Sequence, residues 1–274
     1  MIVWIASYPK SGNTWVRSFL SSYVYNGTKK FNFNDLDKIR AFPSDPEINF
    51  LKKKYGRYKF THMCERWDEF QKAIIKTNKY TFLKTHNACI TINGNNFSNL
   101  ENCLGLIYIV RDPRDVALSY SSHLNFSIED TFKAMTNANL VEKTTEGHDR
   151  TLITSWNNHY NSWKNFPKKK IIIKYENLID KPEDTFFKII KYLNEIIGLK
   201  IDKNLIKNCV DNVSFEKLKT LEKNNGFIEN KSPVKNHKFF NIGKKNQWKL
   251  KLNENLINKF INNFDSEMKE LKYI

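Results

Sequence analysis

At 274 residues and 40% hydrophobic composition, the chain is long enough for one large α/β domain spanning 1–274, and nothing in it reads as a linker between two. Its 45 Lys+Arg against 29 Asp+Glu give a formal charge of +16, which raises the potential at any cleft and draws in phosphate, sulfate or nucleic acid, although a solvated Lys-rich face gives the same count. The four scattered cysteines (Cys64, Cys89, Cys103, Cys209) form no CxxC pair and have no His at metal spacing, so they point to neither a disulfide scaffold nor a zinc site.

The chain opens on an apolar run at 2–6 that lacks a basic lead and is cut short by Tyr8-Pro9-Lys10, unlike a signal peptide. No run approaches the roughly 20 apolar residues of a membrane span. A reducing, cytoplasmic setting with no membrane span is therefore expected. The run at 2–6 reads as a buried strand, followed by a helix over 14–23 with Trp15, Val16, Phe19, Leu20 and Tyr23 on one face.

Further buried strands are expected at 80–84, 106–110 and 170–174. After the third, Asp112 as N-cap, Pro113 at the first helical position and Asp115 in the first turn start a helix carrying 116–122. A helix over 183–193 follows the fourth strand, with Phe186, Phe187, Ile190 and Leu193 on one face. Residues 137–150 and 222–247 read as loops, the latter holding Gly226, Pro233 and Gly243, and both are candidate lids. Strands alternating with helices predict a central parallel sheet with helices on both faces.

The first strand runs into Ser7-Tyr8-Pro9-Lys10-Ser11-Gly12-Asn13-Thr14-Trp15 and then a helix. Such a strand, loop and helix N-terminus is a P-loop-like anion site, because free backbone N–H groups and the positive dipole end converge there. Lys10 adds a charge, and Ser11 and Thr14 add hydroxyl donors. The spacing is not GxxxxGK[ST], the phosphate loop of nucleotide triphosphatases. Arg111, at the carboxyl end of the third strand, is placed to fork onto a phosphate, with Ser119 donating from two turns into the next helix.

The run SYPKSGNTWVRSFL closely resembles the 5′-phosphosulfate loop of sulfotransferases that use 3′-phosphoadenosine 5′-phosphosulfate (PAPS), and Arg111-Asp112-Pro113-Arg114-Asp115-Val116-Ala117-Leu118-Ser119-Tyr120 resembles the same family's 3′-phosphate segment. In family order, Lys84-Thr85-His86 resembles the segment whose His is the catalytic base. Lys174-Tyr175-Glu176-Asn177-Leu178 and Val213-Ser214-Phe215-Glu216 resemble nucleotide-lining segments.

The resemblance implies in-line transfer of a sulfuryl group from PAPS to a hydroxyl or amine of a small acceptor, releasing 3′,5′-bisphosphoadenosine (PAP) and needing no metal. His86 would be the base, Lys10 the group facing the leaving oxygen, and Lys84 an aid at the sulfuryl oxygens. The nucleotide would lie on Lys10, Ser11, Gly12, Asn13, Thr14, Trp15, Arg111, Ser119, Tyr175, Ser214, Phe215 and Gly243. Where the family closes on the 3′-phosphate with Arg and Lys, this chain has Asn241 and Ile242, so Lys238, Lys244 and Lys245 are the nearby stand-ins.

A nucleotide-dependent phosphotransferase would need a magnesium carboxylate and a GK[ST] loop, and a nucleic-acid binder would need clustered cations among exposed aromatics; the sequence offers neither. The acceptor falls to 25–80, 120–150 and 222–245, whose residues do not identify it. His123 and Trp67 are candidate pocket residues for which core packing is the commoner fate.

Overall fold

The computed structural model describes residues 1–75, 79–144, 146–230, 232 and 237–274. Among them the strands run β1 (Ile2–Ser7), β2 (Thr81–Thr85), β3 (Thr91–Ile92), β4 (Asn95–Asn96), β5 (Cys103–Val110), β6 (Val141–Lys143), β7 (Asp149–Leu152) and β8 (Lys170–Lys174). The four apolar runs form one parallel sheet in the order β2-β1-β5-β8, with Ala6 paired to Thr85, Ser7 to Ile109 and Val110 to Lys174. Because successive side chains of a strand leave on opposite faces, β1 feeds two cores. Trp4 and Ala6 pack with Leu83, Leu106, Trp156, Trp163, Phe260 and Phe264 on one side. Val3 and Ile5 pack with Val16, Phe19, Phe82, Ile107, Phe186 and Ile190 on the other. Helices thus cover both faces, as expected.

Local expectations hold at the third crossover. Asp112 caps the helix Pro113–Leu124 by accepting from the Arg114 amide at 3.0 Å. The helix Asn13–Ser21 stops earlier than 23 and continues as a π-helical turn, Ser22–Asn26, which carries Tyr23 to the Lys200 carbonyl (2.7 Å). The stretch 137–150 is not wholly loop: β6 and β7 pair as an antiparallel hairpin. The stretch 222–247 begins inside the helix Phe215–Asn225, and Pro233 lies outside the described residues.

Two long-range polar anchors hold the carboxyl-terminal third against the sheet. Arg114 forks onto the Asp112 carboxylate (2.9 and 2.7 Å), donates to the Tyr273 carbonyl (2.9 Å) and lies 3.6 Å over the Trp248 ring. The Asp115 carboxylate accepts from the backbone amides of Asn246 (2.7 Å) and Trp248 (3.0 Å). Arg114 and Asp112 are 2% and 4% exposed, so deleting one strands a charge in the interior. Arg114→Ala is expected to cost about 3–5 kcal/mol in urea unfolding, the penalty of an uncompensated buried charge. A loss below about 1 kcal/mol would place the pair with surface ion pairs instead.

Candidate active site

The β1 loop bends through two left-handed residues, Lys10 (φ 64°) and Gly12 (φ 100°), before the helix Asn13–Ser21 begins. A side chain on Gly12 would meet Tyr175 at 2.6 Å, so this position needs glycine for both its conformation and its contact. Lys10 Nζ is buried, has no hydrogen-bond partner among the described residues, and sits 3.9 Å over the Phe239 ring. Burial, then the neighbouring Arg111 charge, lowers its pKa to about 7. Ser11 Oγ is likewise buried without a partner.

Arg111, at the end of β5, donates to the carbonyls of Lys10 and Lys244, each at 3.1 Å, and its guanidinium lies 4.3 Å over the Tyr175 ring. Its Nε is buried and unpartnered among the described residues. Ser119 is half-buried on the next helix. Trp15 meets Tyr175 and Phe215 edge-on, at 6.2 and 6.4 Å between centroids, so the three aromatics picked from separate segments form one wall. Gly243 closes it: its backbone passes so near the Phe215 ring that a side chain there would overlap the ring. Ser214, at the N-cap of the helix Phe215–Asn225, forms no side-chain cap bond.

On the other flank, His86 Nδ1 lies 2.7 Å from the Ser7 carbonyl. A carbonyl only accepts, so Nδ1 carries the proton of the neutral ring and Nε2 is left as the basic nitrogen. Burial, then the Lys84 ammonium, holds His86 well below the usual imidazole range. Burial likewise pulls Lys84 down to about 8.

Sequence reasoning missed what supports His86. His159 is fully buried, its Nδ1 at 2.8 Å from the Tyr108 hydroxyl and its Nε2 at 3.1 Å from the His86 carbonyl. With Nε2–H donating to that carbonyl, Nδ1 accepts from Tyr108, and burial lowers His159 to about 3, keeping it neutral. A lone His in a helix carries no sequence signal for this. Of the two candidate pocket residues, Trp67 is pure core against Phe60 and Phe97. His123 instead reaches the site, 5.5 Å from His237 and 6.3 Å from Phe239, and is lowered to about 3 by burial and by Lys10.

Two other positions do different work from that expected. Asn13 spends its side-chain N–H donors on the Ile5 carbonyl (3.1 Å) and Ser7 Oγ (3.2 Å), stapling helix to strand. Lys245 is drawn into an ion pair with Asp180, while Lys244 and Lys238 are exposed. Asn241 and Ile242 are exposed as well, and the amides just before them, Phe239 and Phe240, are pinned by the buried Glu222 carboxylate at 2.7 and 3.0 Å.

Cations, unpaired donors and an aromatic wall gather at the carboxyl edge of the parallel sheet, the crevice in which sheets of this kind take their ligands. The sulfotransferase domain pattern matches residues 2–272, and the chain belongs to that family. Flavonol 3-sulfotransferase of Flaveria bidentis is 24% identical over 277 aligned positions, covering 97% of this chain and 81% of that protein. Human sulfotransferase 1E1 is 26% identical, covering 97% and 83%. Among solved structures, retinol dehydratase with androsterone and the inactive cofactor PAP superposes with a TM-score of 0.65 at 19% identity, covering 98% of this chain and 80% of that one. Mouse sulfotransferase SULT7A1 with PAP gives 0.62 at 17%, covering 97% and 84%. The phosphotransferase and nucleic-acid-binding alternatives find no support among these relatives. No helix of the described residues is long and apolar enough to cross a membrane.

The lowered pKa of Lys10 has a measurable sign. Its ammonium is held at about 7 in the folded protein against an ordinary 10.5, so the unfolded chain binds more protons between those values. The penalty is present below pH 7 and is relieved as pH rises. Ligand-free stability should therefore climb between about pH 7 and 8.5, and Lys10→Met should flatten part of that climb, leaving the share due to Lys84. Urea midpoints across this window check it; identical slopes in the two proteins would show that Lys10 is not held low.

Proposed function

We propose that the chain, acting as one catalytic domain over 1–274, transfers the sulfuryl group of PAPS to a hydroxyl or amine of a small acceptor. The observation that carries this assignment of roles is the buried Lys10 ammonium, with no partner among the described residues, beside the equally unpartnered Ser11 hydroxyl. A buried cation without a counterion is costly, and an anionic ligand removes the cost. Lys10, Ser11, Thr14 and the backbone of Gly12 and Asn13 receive the 5′-phosphosulfate. Arg111, Ser119 and Lys244 receive the 3′-phosphate, and Trp15, Tyr175, Phe215, Ser214 and Gly243 enclose the adenosine. Lys245 contributes only if it leaves Asp180.

In the transfer, His86 Nε2 takes the proton from the acceptor as its oxygen or nitrogen bonds to sulfur. The bond from sulfur to the 5′-phosphate oxygen breaks, Lys10 stabilises the charge gathering on that oxygen, and PAP leaves. Lys84 steadies the sulfuryl oxygens. The Ser7 carbonyl holds the base in its productive tautomer, and the His159 bond anchors the backbone of His86. Among the described residues no group of acidic or metal-ligating side chains is arranged to hold a metal ion. The retinol dehydratase structures contain androsterone or retinol, small molecules that fit the expectation of a small acceptor here.

Two phosphate sites imply that PAP raises the melting temperature well beyond AMP, by the equivalent of about 2.7 kcal/mol at 100 times its dissociation constant. Arg111→Ala should remove about 1.5–3 kcal/mol of PAP affinity, the worth of a charged hydrogen bond. Equal shifts with AMP and PAP would remove the 3′-phosphate site.

For His86→Ala, turnover should fall about 10²–10⁴-fold, the usual contribution of positioned proton transfer, while PAP affinity holds. Turnover and calorimetry on the same preparation separate the two. Activity within a few-fold of wild type would mean that another group takes the proton.

A further inference from the structure

Directly after His86 the chain meets the β6–β7 hairpin. The Ala88 amide donates to the Leu152 carbonyl and the Leu152 amide to Asn87 Oδ1, both at 2.9 Å, so β7 is fastened directly to the residues after His86. Two residues back on β7, Arg150 reaches across to the Pro43 carbonyl at 3.3 Å. That carbonyl belongs to the segment whose Ala41 bridges Lys84 and whose Arg40 and Phe42 exchange backbone bonds with it. Arg150 therefore ties the hairpin to the segment paired with Lys84, and its charge bears on that lysine. Beside it, Tyr58 stacks on His148 at 5.0 Å and 9°, and its hydroxyl is buried with no partner among the described residues.

The neighbouring carboxylates are mostly committed. Glu229 is forked by Arg17 (2.8 and 3.0 Å), whose other donors hold the Leu36 and Ile39 carbonyls. Asp149 pairs with Lys143 at 3.9 Å and Glu146 with Lys52. Only Glu142 makes no ion pair among the described residues, and its charge also bears on Tyr120. Against it stand Lys84, without a side-chain partner among the described residues, and Arg150, with one carbonyl bond for five N–H donors. Both cations are close enough to Glu229 to hold its carboxyl down, after Arg17.

We propose that Arg150 and the Tyr58 hydroxyl, with Lys84 between them and the base, form a subsite for an anionic group on the acceptor, so that the preferred acceptors are hydroxyl compounds carrying a carboxylate or similar anion. The inference rests on His86 being the base. A phenol with an anionic arm and one without it are matched probes.

The test compares 4-hydroxyphenylacetate with p-cresol as acceptors, reading the ratio of kcat/KM for wild type, Arg150→Leu, Arg150→Lys and Tyr58→Phe. Dissociation constants of both phenols for the PAP-loaded protein are measured alongside. The ratio should favour the anion by roughly tenfold or more, the size of a charged hydrogen bond. It should collapse toward one in Arg150→Leu, survive in part in Arg150→Lys, and fall several-fold in Tyr58→Phe. A ratio at or below one in wild type, a ratio unmoved by Arg150→Leu, or binding of neither phenol would overturn the proposal. A melting temperature unmoved by PAP would strike the nucleotide reading instead, and the phenol affinities would then be read on the free protein.

Discussion

The site depends on the parallel pairing of β1 between β2 and β5. With Ala6 opposite Thr85 and Ser7 opposite Ile109, three chain segments leave the sheet at one edge within a residue or two of one another. The Lys10 loop, His86 and Arg111 are those exits. Since β1 has neighbours on both sides reached by separate crossovers, its carboxyl end is a topological switch point, where a crevice opens in sheets of this kind. Two hydrogen bonds then convert strand register into site geometry: His86 to the Ser7 carbonyl across one seam, and Arg111 to the Lys10 carbonyl across the other. A one-residue slip in either pairing would send the base or the guanidinium to the wrong face.

The crevice gathers charge that the fold neutralises only in part. Lys10 lies beside Arg111 on one flank and Lys84 beside His86 on the other, and burial pulls both lysines toward neutrality against the partial support of Glu222 and Glu229. That arrangement costs stability in the free protein and is tolerated where a ligand supplies the missing charge, which is the usual relation between stored electrostatic strain and a binding site. Lys84 also lowers His86, after burial, so the proposed base is unprotonated beside a cation. In the proposed mechanism Lys84 thus serves both the sulfuryl oxygens and the protonation state of the base.

The sheet and the phosphate loop were legible in the sequence because their causes are local. Buried parallel strands need continuous apolar runs, and an anion loop needs its glycine, lysine and hydroxyls within a few residues. The aromatic wall was legible only through resemblance, since Trp15, Tyr175 and Phe215 lie far apart in the chain. What stayed hidden was set by contacts across long separations or by competition for a side chain. Nothing local signals that Asp115 caps amides at 246 and 248, that Glu222 pins Phe239 and Phe240, or that His159 reaches the His86 carbonyl. Asn13 reads as a loop donor until Ile5 and Ser7 claim its amide, and Lys245 as a free cation until Asp180 claims it. The part of the hairpin within 137–150 reads as loop because its short strands are polar and only partly buried, which removes the apolar alternation that marks a strand.

These hidden contacts bear on the absence of the family's Arg and Lys at 241 and 242. A segment that closes on a phosphate must be both positioned and attractive, and the family pattern supplies attraction through side chains. Here position comes from buried carboxylates at either end of the segment, Glu222 before it and Asp115 after it, with Arg114 stacked on Trp248 as a further brace. Held this way, the segment sets Gly243 against the Phe215 ring and the Lys244 carbonyl against Arg111. In the proposed function its role shifts toward holding Arg111 in place, so attraction for a 3′-phosphate would fall chiefly to that guanidinium, with Ser119 and the exposed Lys244 as secondary donors. On that reading Arg111 is less replaceable here than it would be beside an intact Arg-Lys clamp, because a desolvated guanidinium contributes more than a solvated lysine such as Lys244.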